Sequence, residues 1–289
     1  MANDFAEGFF ETADGPRLHF LDYAPRGAEK APPILCLHGL TRNVRDFTDL
    51  APRISHLGHR VIVASQRGRG RSARDPQPER YNVGVYTADM FALLDRLGVA
   101  RAGFIGTSMG GLITLLAAHL APSRVAAAVL NDVGPEIDPR GLARIRGYAG
   151  APRTARSWTE AAKLTRGING AAFPGETSDG FWLEQASRVY RQEAPDRLVL
   201  DYDPLIAQSL KPQSSDTMDL WPFFDALKPI PTLIIRGEIS DVLMLSTVEE
   251  MRRRKPDLAI ATVANVGHAP LMIEAEAWVS LEAFLGSII

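Results

Sequence analysis

Short, unbroken apolar runs alternate with amphipathic segments between residues 34 and 131. The runs predict buried strands at Ile34–Leu37, 60–64, 102–106 and 125–130, and the amphipathic segments predict helices at 87–97 and 110–120. Unbroken apolar strands separated by helices are typical of a parallel sheet that helices cover on both faces. The segment Arg17–Tyr23 predicts an antiparallel hairpin at the edge of that sheet.

The alternation stops at Gly134-Pro135 and returns near residue 229. Between these points the sequence predicts helices and no strand, with helical segments at Pro139–Tyr148, 158–165, 179–191 and Pro204–Leu210. Strands at 232–235 and 258–263 and a closing helix at 275–285 then complete the pattern. We therefore expect a core domain of residues 1–134 and 229–289, interrupted by a helical cap of residues 135–228. Long structured insertions of this kind are often functional lids.

The composition is that of an average soluble globular protein. The 289 residues are 46% hydrophobic and 23% charged, with a net charge of −2, so nothing indicates nucleic acid or a membrane surface as partner. The chain has no apolar run of about 18 residues that could span a membrane, and no basic-then-apolar leader at Met1, so we expect a cytoplasmic protein. The single cysteine, Cys36, lies in an apolar run and predicts a buried, inert thiol.

The sequence from Gly106 to Gly110 matches the G-x-S-x-G pattern of a nucleophile elbow, with Ser108 at its centre. A predicted strand precedes it and a predicted helix follows it, which is the required context. The tight turn strains the serine backbone, so its neighbours two positions away must be very small, and Gly106 and Gly110 satisfy that need. The pattern predicts that Ser108 is a nucleophile.

A serine hydroxyl needs a base, and the base needs an acid to orient it. Of the six histidines, His268 follows the last predicted strand and should lie at the same rim of the sheet as Ser108. Asp241 follows the strand before it and gives the chain order Ser, Asp, His, so it is the predicted acid. Asp132 and Glu238 are the competing candidates.

An oxyanion formed at Ser108 needs hydrogen-bond donors. The backbone N–H groups of Met109, directly after the nucleophile, and of Leu40, in the loop after Ile34–Leu37, are the predicted donors. No metal ion or cofactor is expected. Residues 68–73 fit a loose G-x-G-x-x-A dinucleotide fingerprint, but Pro76 and Pro78 predict a continuing loop where that motif requires a helix.

These motifs resemble the α/β-hydrolase superfamily over essentially the whole chain. The resemblance rests on His38-Gly39, the loop 67–72, the elbow around Ser108, Asp241 and Gly267-His268. The sequence is similar to the capped group that includes bacterial carboxylesterases, enol-lactonases and carbon–carbon bond hydrolases of aromatic degradation. The resemblance implies an α/β fold with a mostly parallel eight-stranded sheet and a helical cap over the active site.

Two positions depart from the pattern of that group. Ser65 stands where relatives usually carry an aspartate, which concerns only the local loop structure. Thr107 precedes the nucleophile where carbon–carbon bond hydrolases usually carry asparagine, which disfavours that activity. Relatives that use an aspartate nucleophile, the dehalogenases and epoxide hydrolases, are disfavoured by Ser108 itself.

The residues together predict a serine hydrolase that transfers an acyl group to water. Its expected substrate is an ester or lactone of a small, apolar or aromatic-derived molecule. A carbon–carbon bond hydrolase or lyase with the same residues is the first alternative, and a ligand receptor without catalysis is the second. The oligomeric state is not predicted.

The predicted cap also carries an arginine set and an aromatic set. The arginines are interpreted as a solvated face rather than an anion site, and the aromatic residues as cap core with some pocket wall. The arginines are Arg140, Arg144, Arg146, Arg153 and Arg156, and the aromatic residues are Trp158, Phe173, Phe181, Trp182, Trp221 and Phe223.

Overall fold

The computed structural model describes residues 5–27, 31–210 and 219–288. The first four residues, on which the expectation about a leader falls, and residues 211–218 of the predicted cap lie outside the described residues. The strands, in chain order, are β1 (Ala6–Glu11), β2 (Arg17–Tyr23), β3 (Ile34–Leu37), β4 (Val61–Ala64), β5 (Ala102–Thr107), β6 (Val125–Asn131), β7 (Thr154–Ala155), β8 (Tyr190–Ala194), β9 (Arg197–Leu200), β10 (Thr232–Gly237) and β11 (Ala259–Val263).

The helices pack around these strands, with several short 3₁₀ turns between them, one of which forms the predicted helical segment Pro204–Leu210. The helices are α1 (Leu50–His56), α2 (Val83–Arg96), α3 (Met109–Leu120), α4 (Pro139–Tyr148), α5 (Trp158–Asn169), α6 (Asp179–Val189), α7 (Trp221–Asp225), α8 (Leu245–Arg254) and α9 (Ala275–Ser287).

Eight strands form the main sheet in the order β1-β2-β4-β3-β5-β6-β10-β11, which confirms the predicted eight-stranded sheet. The hairpin β1–β2 is antiparallel and sits at one edge, as predicted, and the six other strands run parallel to one another. The carboxyl ends of the parallel strands therefore meet at one rim.

The central strands are buried on both faces, as their unbroken apolar runs predict. In β3, Leu35 and Leu37 pack into the core on one face of the sheet, whereas Ile34 and Cys36 pack into the core on the other. All four are fully buried. Burial raises the pKa of the Cys36 thiol well above its ordinary value, so the predicted inert thiol is consistent with its surroundings.

The insertion after residue 134 is not all-helical, which corrects the sequence expectation. Strands β7, β9 and β8 form a separate three-stranded antiparallel sheet within it. The helix predicted over 179–191 ends at Val189, because Tyr190 begins β8. Pro195 and Asp196 then connect β8 to β9, and a proline at such a turn cannot continue a helix.

Helix α7, at the end of the predicted cap segment, packs on the main core. Phe224 and Leu227 are fully buried in the same apolar cluster as Ile113 of α3. Among the described helices, none has both the length and the apolar character needed to cross a membrane.

Candidate active site

Ser108 lies on the turn between β5 and α3 with φ 52° and ψ −114°, a left-handed conformation that is strained for a residue with a side chain. The flanking glycines make this turn possible. A Cβ on Gly106 would lie 2.2 Å from the carbonyl oxygen of Gly110, and a Cβ on Gly110 would lie 2.2 Å from the carbonyl oxygen of Leu37. The backbone of Gly110 and Leu37 therefore occupies the space that a side chain at position 106 or 110 would need. Ser108 lies at the end of β5, at the rim of the sheet.

His268 lies in the loop after β11 and reaches Ser108 directly. Its Nε2 is 2.9 Å from Ser108 Oγ, and its Nδ1 is 2.9 Å from Asp132 Oδ2. The His268 side chain is only 8% exposed and the Asp132 side chain is fully buried, so water has little access to either hydrogen bond. A serine, a histidine and a carboxylate in this geometry are able to act as nucleophile, base and orienting acid.

Asp132 immediately follows β6 and is held by two further donors. The backbone N–H of Gly237 donates to Oδ1 at 2.9 Å, and the Ser240 hydroxyl donates to Oδ2 at 2.6 Å. Ser240 Oγ in turn accepts from the backbone N–H groups of Val242 and Leu243. The orientation of the Asp132 carboxylate is thus fixed by the loop after β10.

The predicted pairing of His268 with Asp241 is corrected by this geometry. Asp241 is bound on both oxygens by the Arg144 guanidinium of α4, at 2.6 and 2.8 Å. The Arg144 guanidinium holds the pKa of the Asp241 carboxyl below its ordinary value. Glu238, the third candidate acid, accepts a hydrogen bond from the backbone N–H of Asn265 instead. Asp132, the competing candidate, is the carboxylate that contacts His268.

The two predicted oxyanion donors lie on either side of Ser108, Leu40 in the loop after β3 and Met109 at the start of α3. A Cβ on Gly39 would lie 3.8 Å from Ser108 Cβ, so the loop that carries Leu40 approaches the nucleophile closely. The N–H groups of Leu40 and Met109 donate to no backbone carbonyl among the described residues. Both are therefore free to bind an oxygen of a ligand.

A buried arginine that is not among the predicted site residues contacts both of these donor residues. Arg69 is fully buried; its Nε donates to the carbonyl oxygen of Leu40 at 2.9 Å, and its Nη2 lies 3.6 Å from Met109 Sδ. Its Nη1 donates to the Tyr86 hydroxyl at 2.7 Å. Arg69 belongs to the loop 68–73 that resembles a dinucleotide fingerprint, and no helix follows that loop at residues 74–77.

His38 fixes the start of the same loop. Its Nδ1 lies 2.7 Å from the carbonyl oxygen of Gly39, and its Nε2 accepts a hydrogen bond from the backbone N–H of Gln66 at 3.0 Å. Burial lowers the pKa of His38 to about 4, so the imidazole is neutral near pH 7. Neutral His38 is a donor at Nδ1 and an acceptor at Nε2, which matches both neighbours.

Asn131 connects the turn that carries Ser108 to the loop that carries His268. Its Nδ2 donates to Thr107 Oγ1 at 3.1 Å and to the carbonyl oxygen of Pro270 at 2.8 Å. The residue is fully buried at the end of β6, directly before Asp132. One buried amide therefore links the two segments on which Ser108 and His268 lie.

A cavity of about 130 Å³ opens above Ser108 and His268. Its walls come from the loop after β3 and from the inserted segment, including Phe173, one of the expected pocket aromatics. The walls combine aliphatic side chains with tyrosines and two arginines: Ile145, Ile168, Val189, Leu200, Tyr148, Tyr190, Tyr202, Arg42 and Arg153.

The cap arginines are not simply a solvated face, contrary to the sequence expectation. Arg144 binds Asp241, and Arg153 lines the cavity. Arg140 pairs with Asp138, and Arg146 donates to the carbonyl oxygen of Leu210. Within the described ranges, no group of three or more His, Cys, Asp or Glu residues is placed to hold a metal ion.

Comparisons with known proteins agree with this architecture. A family model for the alpha/beta hydrolase fold matches residues 32–275. The chain is 34% identical over 276 residues to a 3-hydroxybutyrate-oligomer hydrolase of Cupriavidus necator, covering 92% of this chain and 93% of that protein. It is 26% identical to a 2-(acetamidomethylene)succinate hydrolase of Mesorhizobium japonicum, over 82% of this chain and 81% of that protein.

A solved structure is also similar over nearly the whole length. The crystal structure of an alpha/beta hydrolase from Novosphingobium aromaticivorans superimposes with a TM-score of 0.92 at 40% identity, covering 99% of both chains. The chain belongs to the α/β-hydrolase family, which confirms the resemblance drawn from its motifs. It is a hydrolase of that family.

Proposed function

We propose that this protein is a serine hydrolase that cleaves ester bonds in short oligoesters of hydroxy acids. The observation that carries the proposal is the continuous hydrogen-bonded series from Asp132 through His268 to Ser108, which ends in a largely apolar cavity. Serine, histidine and carboxylate in this geometry form the machinery of acyl transfer.

In the first half of the reaction, Ser108 Oγ attacks the ester carbonyl carbon while His268 Nε2 takes the hydroxyl proton. Asp132 holds the imidazole in the required tautomer and stabilises the imidazolium that forms. The tetrahedral intermediate then collapses, the carbon–oxygen bond to the alcohol breaks, and His268 gives its proton to the departing alkoxide. Ser108 is left as an acyl ester.

In the second half, water replaces the alcohol. His268 takes a proton from water, and the resulting hydroxide attacks the acyl carbon of Ser108. When this second intermediate collapses, Ser108 Oγ leaves and regains the proton from His268, and the acid product is released. The backbone N–H groups of Leu40 and Met109 stabilise the oxyanion in both steps, which commonly contributes on the order of 10²–10³ in rate per donor.

The substrate class is suggested by the cavity and by the relatives. Branched aliphatic side chains such as Ile145, Val189 and Leu200 suit an acyl chain with short methyl branches. The Cupriavidus relative, similar over 92% of this chain, is named for hydrolysis of 3-hydroxybutyrate oligomers, which are esters of that type. A small hydroxy-acid oligoester therefore fits better than a bulky aromatic ester.

The test is hydrolysis of the 3-hydroxybutyrate dimer and trimer by the wild type, S108A and S187A, measured by chromatography of the released acid. Ser187 is an exposed serine on α6 and is the matched control. We expect turnover by the wild type and S187A, and a loss of kcat of roughly 10⁴-fold or more in S108A. A fluorophosphonate probe should label the wild type and S187A but not S108A.

Hydrolysis or labelling that persists in S108A would exclude Ser108 as the nucleophile. Faster cleavage of vinylogous 1,5-diketones than of any ester would replace the proposed reaction with carbon–carbon bond hydrolysis.

A further inference from the structure

Arg153 lines the cavity and has no counter-ion among the residues that the structure describes. It makes neither a hydrogen bond nor an ion pair with any residue that the structure describes, although it is half-buried in the cavity above Ser108. The other arginine of the cavity wall, Arg42, is bound through Nε by both oxygens of Asp46, at 2.9 Å each. The positive charge of Arg42 is thus neutralised by Asp46, whereas no described carboxylate pairs with Arg153.

A tyrosine hydroxyl in the same wall also lacks a partner. Tyr190 is 1% exposed, and its Oη is buried without a hydrogen bond to any described residue. A buried hydroxyl normally finds a partner, because leaving it unpaired costs free energy. Burial raises the pKa of Tyr190, so the hydroxyl remains protonated near pH 7 and can donate a hydrogen bond to an acceptor.

The small antiparallel sheet brings these two groups to one place. Thr154 pairs with Val199, and Leu200 pairs with Tyr190. Arg153, which directly precedes Thr154, therefore continues the same cross-strand row as Leu200 and Tyr190, and all three line the cavity.

The neighbouring carboxylates are engaged elsewhere. Asp201 is bound by Arg45 at 2.6 Å, and Glu160 accepts a hydrogen bond from the backbone N–H of Arg156 at 2.7 Å. Neither residue lines the cavity. A guanidinium and a hydroxyl donor that lack described partners and share one cross-strand row of the cavity wall can bind an anion between them. Planar carboxylates suit the guanidinium fork.

We propose that Arg153 and the Tyr190 hydroxyl form a subsite that binds a carboxylate of the substrate while Ser108 attacks the ester bond. The inference rests on the proposed function and makes it narrower: the preferred substrate is an oligoester with a free terminal carboxylate, and the neutral ester of the same molecule is a poor substrate.

The test compares cleavage of the internal ester bond in the 3-hydroxybutyrate dimer as the free acid and in its methyl ester, in which a terminal ester group replaces the carboxylate. We expect the wild type to prefer the free acid, and R153Q to lower kcat/KM for the free acid by roughly 10- to 100-fold. The same variant should leave the methyl ester within about twofold of the wild type. R153K should recover part of the loss, and Y190F should show a smaller loss confined to the acid.

R156Q is the matched control, because Arg156 is an exposed arginine three residues further on. It should retain the preference for the acid. Equal kcat/KM of the wild type for the two compounds, or an equal loss on both in R153Q, would overturn the carboxylate subsite and leave ester hydrolysis standing.

Calorimetric titration of both compounds into S108A and S108A/R153Q makes the subsite testable without turnover. The subsite predicts tighter binding of the acid than of the methyl ester to S108A, and loss of that difference in S108A/R153Q. If the wild type hydrolyses neither compound while this binding difference persists, the proposed ester reaction fails and the subsite stands. Absence of the difference overturns the subsite.

Discussion

Asp132 Oδ2 lies 2.9 Å from His268 Nδ1, although Asp241 follows a strand of the same sheet and occurs between Ser108 and His268 in the chain. The sheet order explains this choice. Strand β6 lies directly beside β5, so Asp132 emerges next to the turn that carries Ser108. Asp241 comes four residues after the end of β10, and Arg144 of α4 binds both of its oxygens.

Replacement of each carboxylate by its amide separates their roles. An amide at position 132 cannot stabilise the imidazolium and favours the wrong tautomer of His268, so D132N should lower kcat by roughly 10⁴-fold. D241N should retain kcat within about threefold, because it removes a partly exposed ion pair of modest strength. Steady-state ester hydrolysis measures both, and thermal unfolding shows that each variant is folded. Loss of kcat in D241N with normal D132N would reassign the acid to Asp241.

Much of this architecture could be predicted because it depends on short sequence patterns. Unbroken apolar runs such as Ile34–Leu37 identify strands buried on both faces, and the sheet confirms them. The glycines around Ser108 predict a strained turn, and a Cβ on Gly106 would indeed meet the backbone of Gly110, four residues further on. These features depend on neighbours close in sequence.

The remaining features depend on which distant segments meet. Asp132 and Asp241 both follow strands and both satisfy the chain order, so they are distinguished only by the position of β6 beside β5 and by the contact of Arg144 with Asp241. The helical spacing of apolar residues continues through Tyr190, so the sequence predicts a helix there. The strand β8 forms instead because it pairs with β9. An arginine such as Arg153 has the same local pattern whether it faces solvent or a cavity.

His38 predicts a specific dependence of stability on pH. Its pKa falls from the ordinary 6.5 to about 4 in the folded protein because the imidazole is fully buried. Between these values the unfolded chain binds the proton and the folded chain does not, so stability decreases as the pH falls through this window. From pH 7 to about pH 4.5, His38 should remove roughly 2 to 3 kcal/mol from the free energy of unfolding.

Urea unfolding of the wild type and H38N across this range measures that contribution. H38N should be less stable than the wild type at pH 7, and the difference should shrink as the pH falls. H56N, which replaces an exposed imidazole on α1, is the control. Parallel pH profiles for the wild type and H38N would show that His38 does not titrate in this way.

Arg69 predicts a positioning effect on the reaction. Its Nε holds the carbonyl oxygen of Leu40, whose N–H is a proposed oxyanion donor, so R69Q should misplace that donor. We expect kcat to fall by roughly 10- to 100-fold with little change in KM, because the interaction matters mainly in the transition state. R69K should recover part of kcat. If R69Q changes KM by as much as kcat, or changes neither constant, Arg69 does not position the oxyanion donor.

The control for Arg69 is R71Q in the same loop. The Arg71 side chain is 60% exposed and pairs with Glu7, away from the cavity. Its replacement should leave kcat and KM close to the wild-type values. Thermal unfolding of R69Q accompanies the kinetics, because a folded R69Q with wild-type KM separates lost positioning from lost structure.

Replacement of Gly106 by alanine tests whether the turn at Ser108 tolerates a side chain two residues before the serine. In G106A the new Cβ would lie 2.2 Å from the carbonyl oxygen of Gly110, so backbone must move and the turn at Ser108 must distort. We expect a loss of more than about 3 kcal/mol in the free energy of unfolding, together with loss of fluorophosphonate labelling.

G147A is the control, because a Cβ on Gly147 meets no heavy atom within 4 Å on the exposed face of α4. It should be neutral or stabilising by about 0.5–1 kcal/mol, since alanine favours the helix more than glycine does. Normal stability and labelling of G106A, measured by urea unfolding and probe incorporation, would mean that the turn tolerates a side chain at this position.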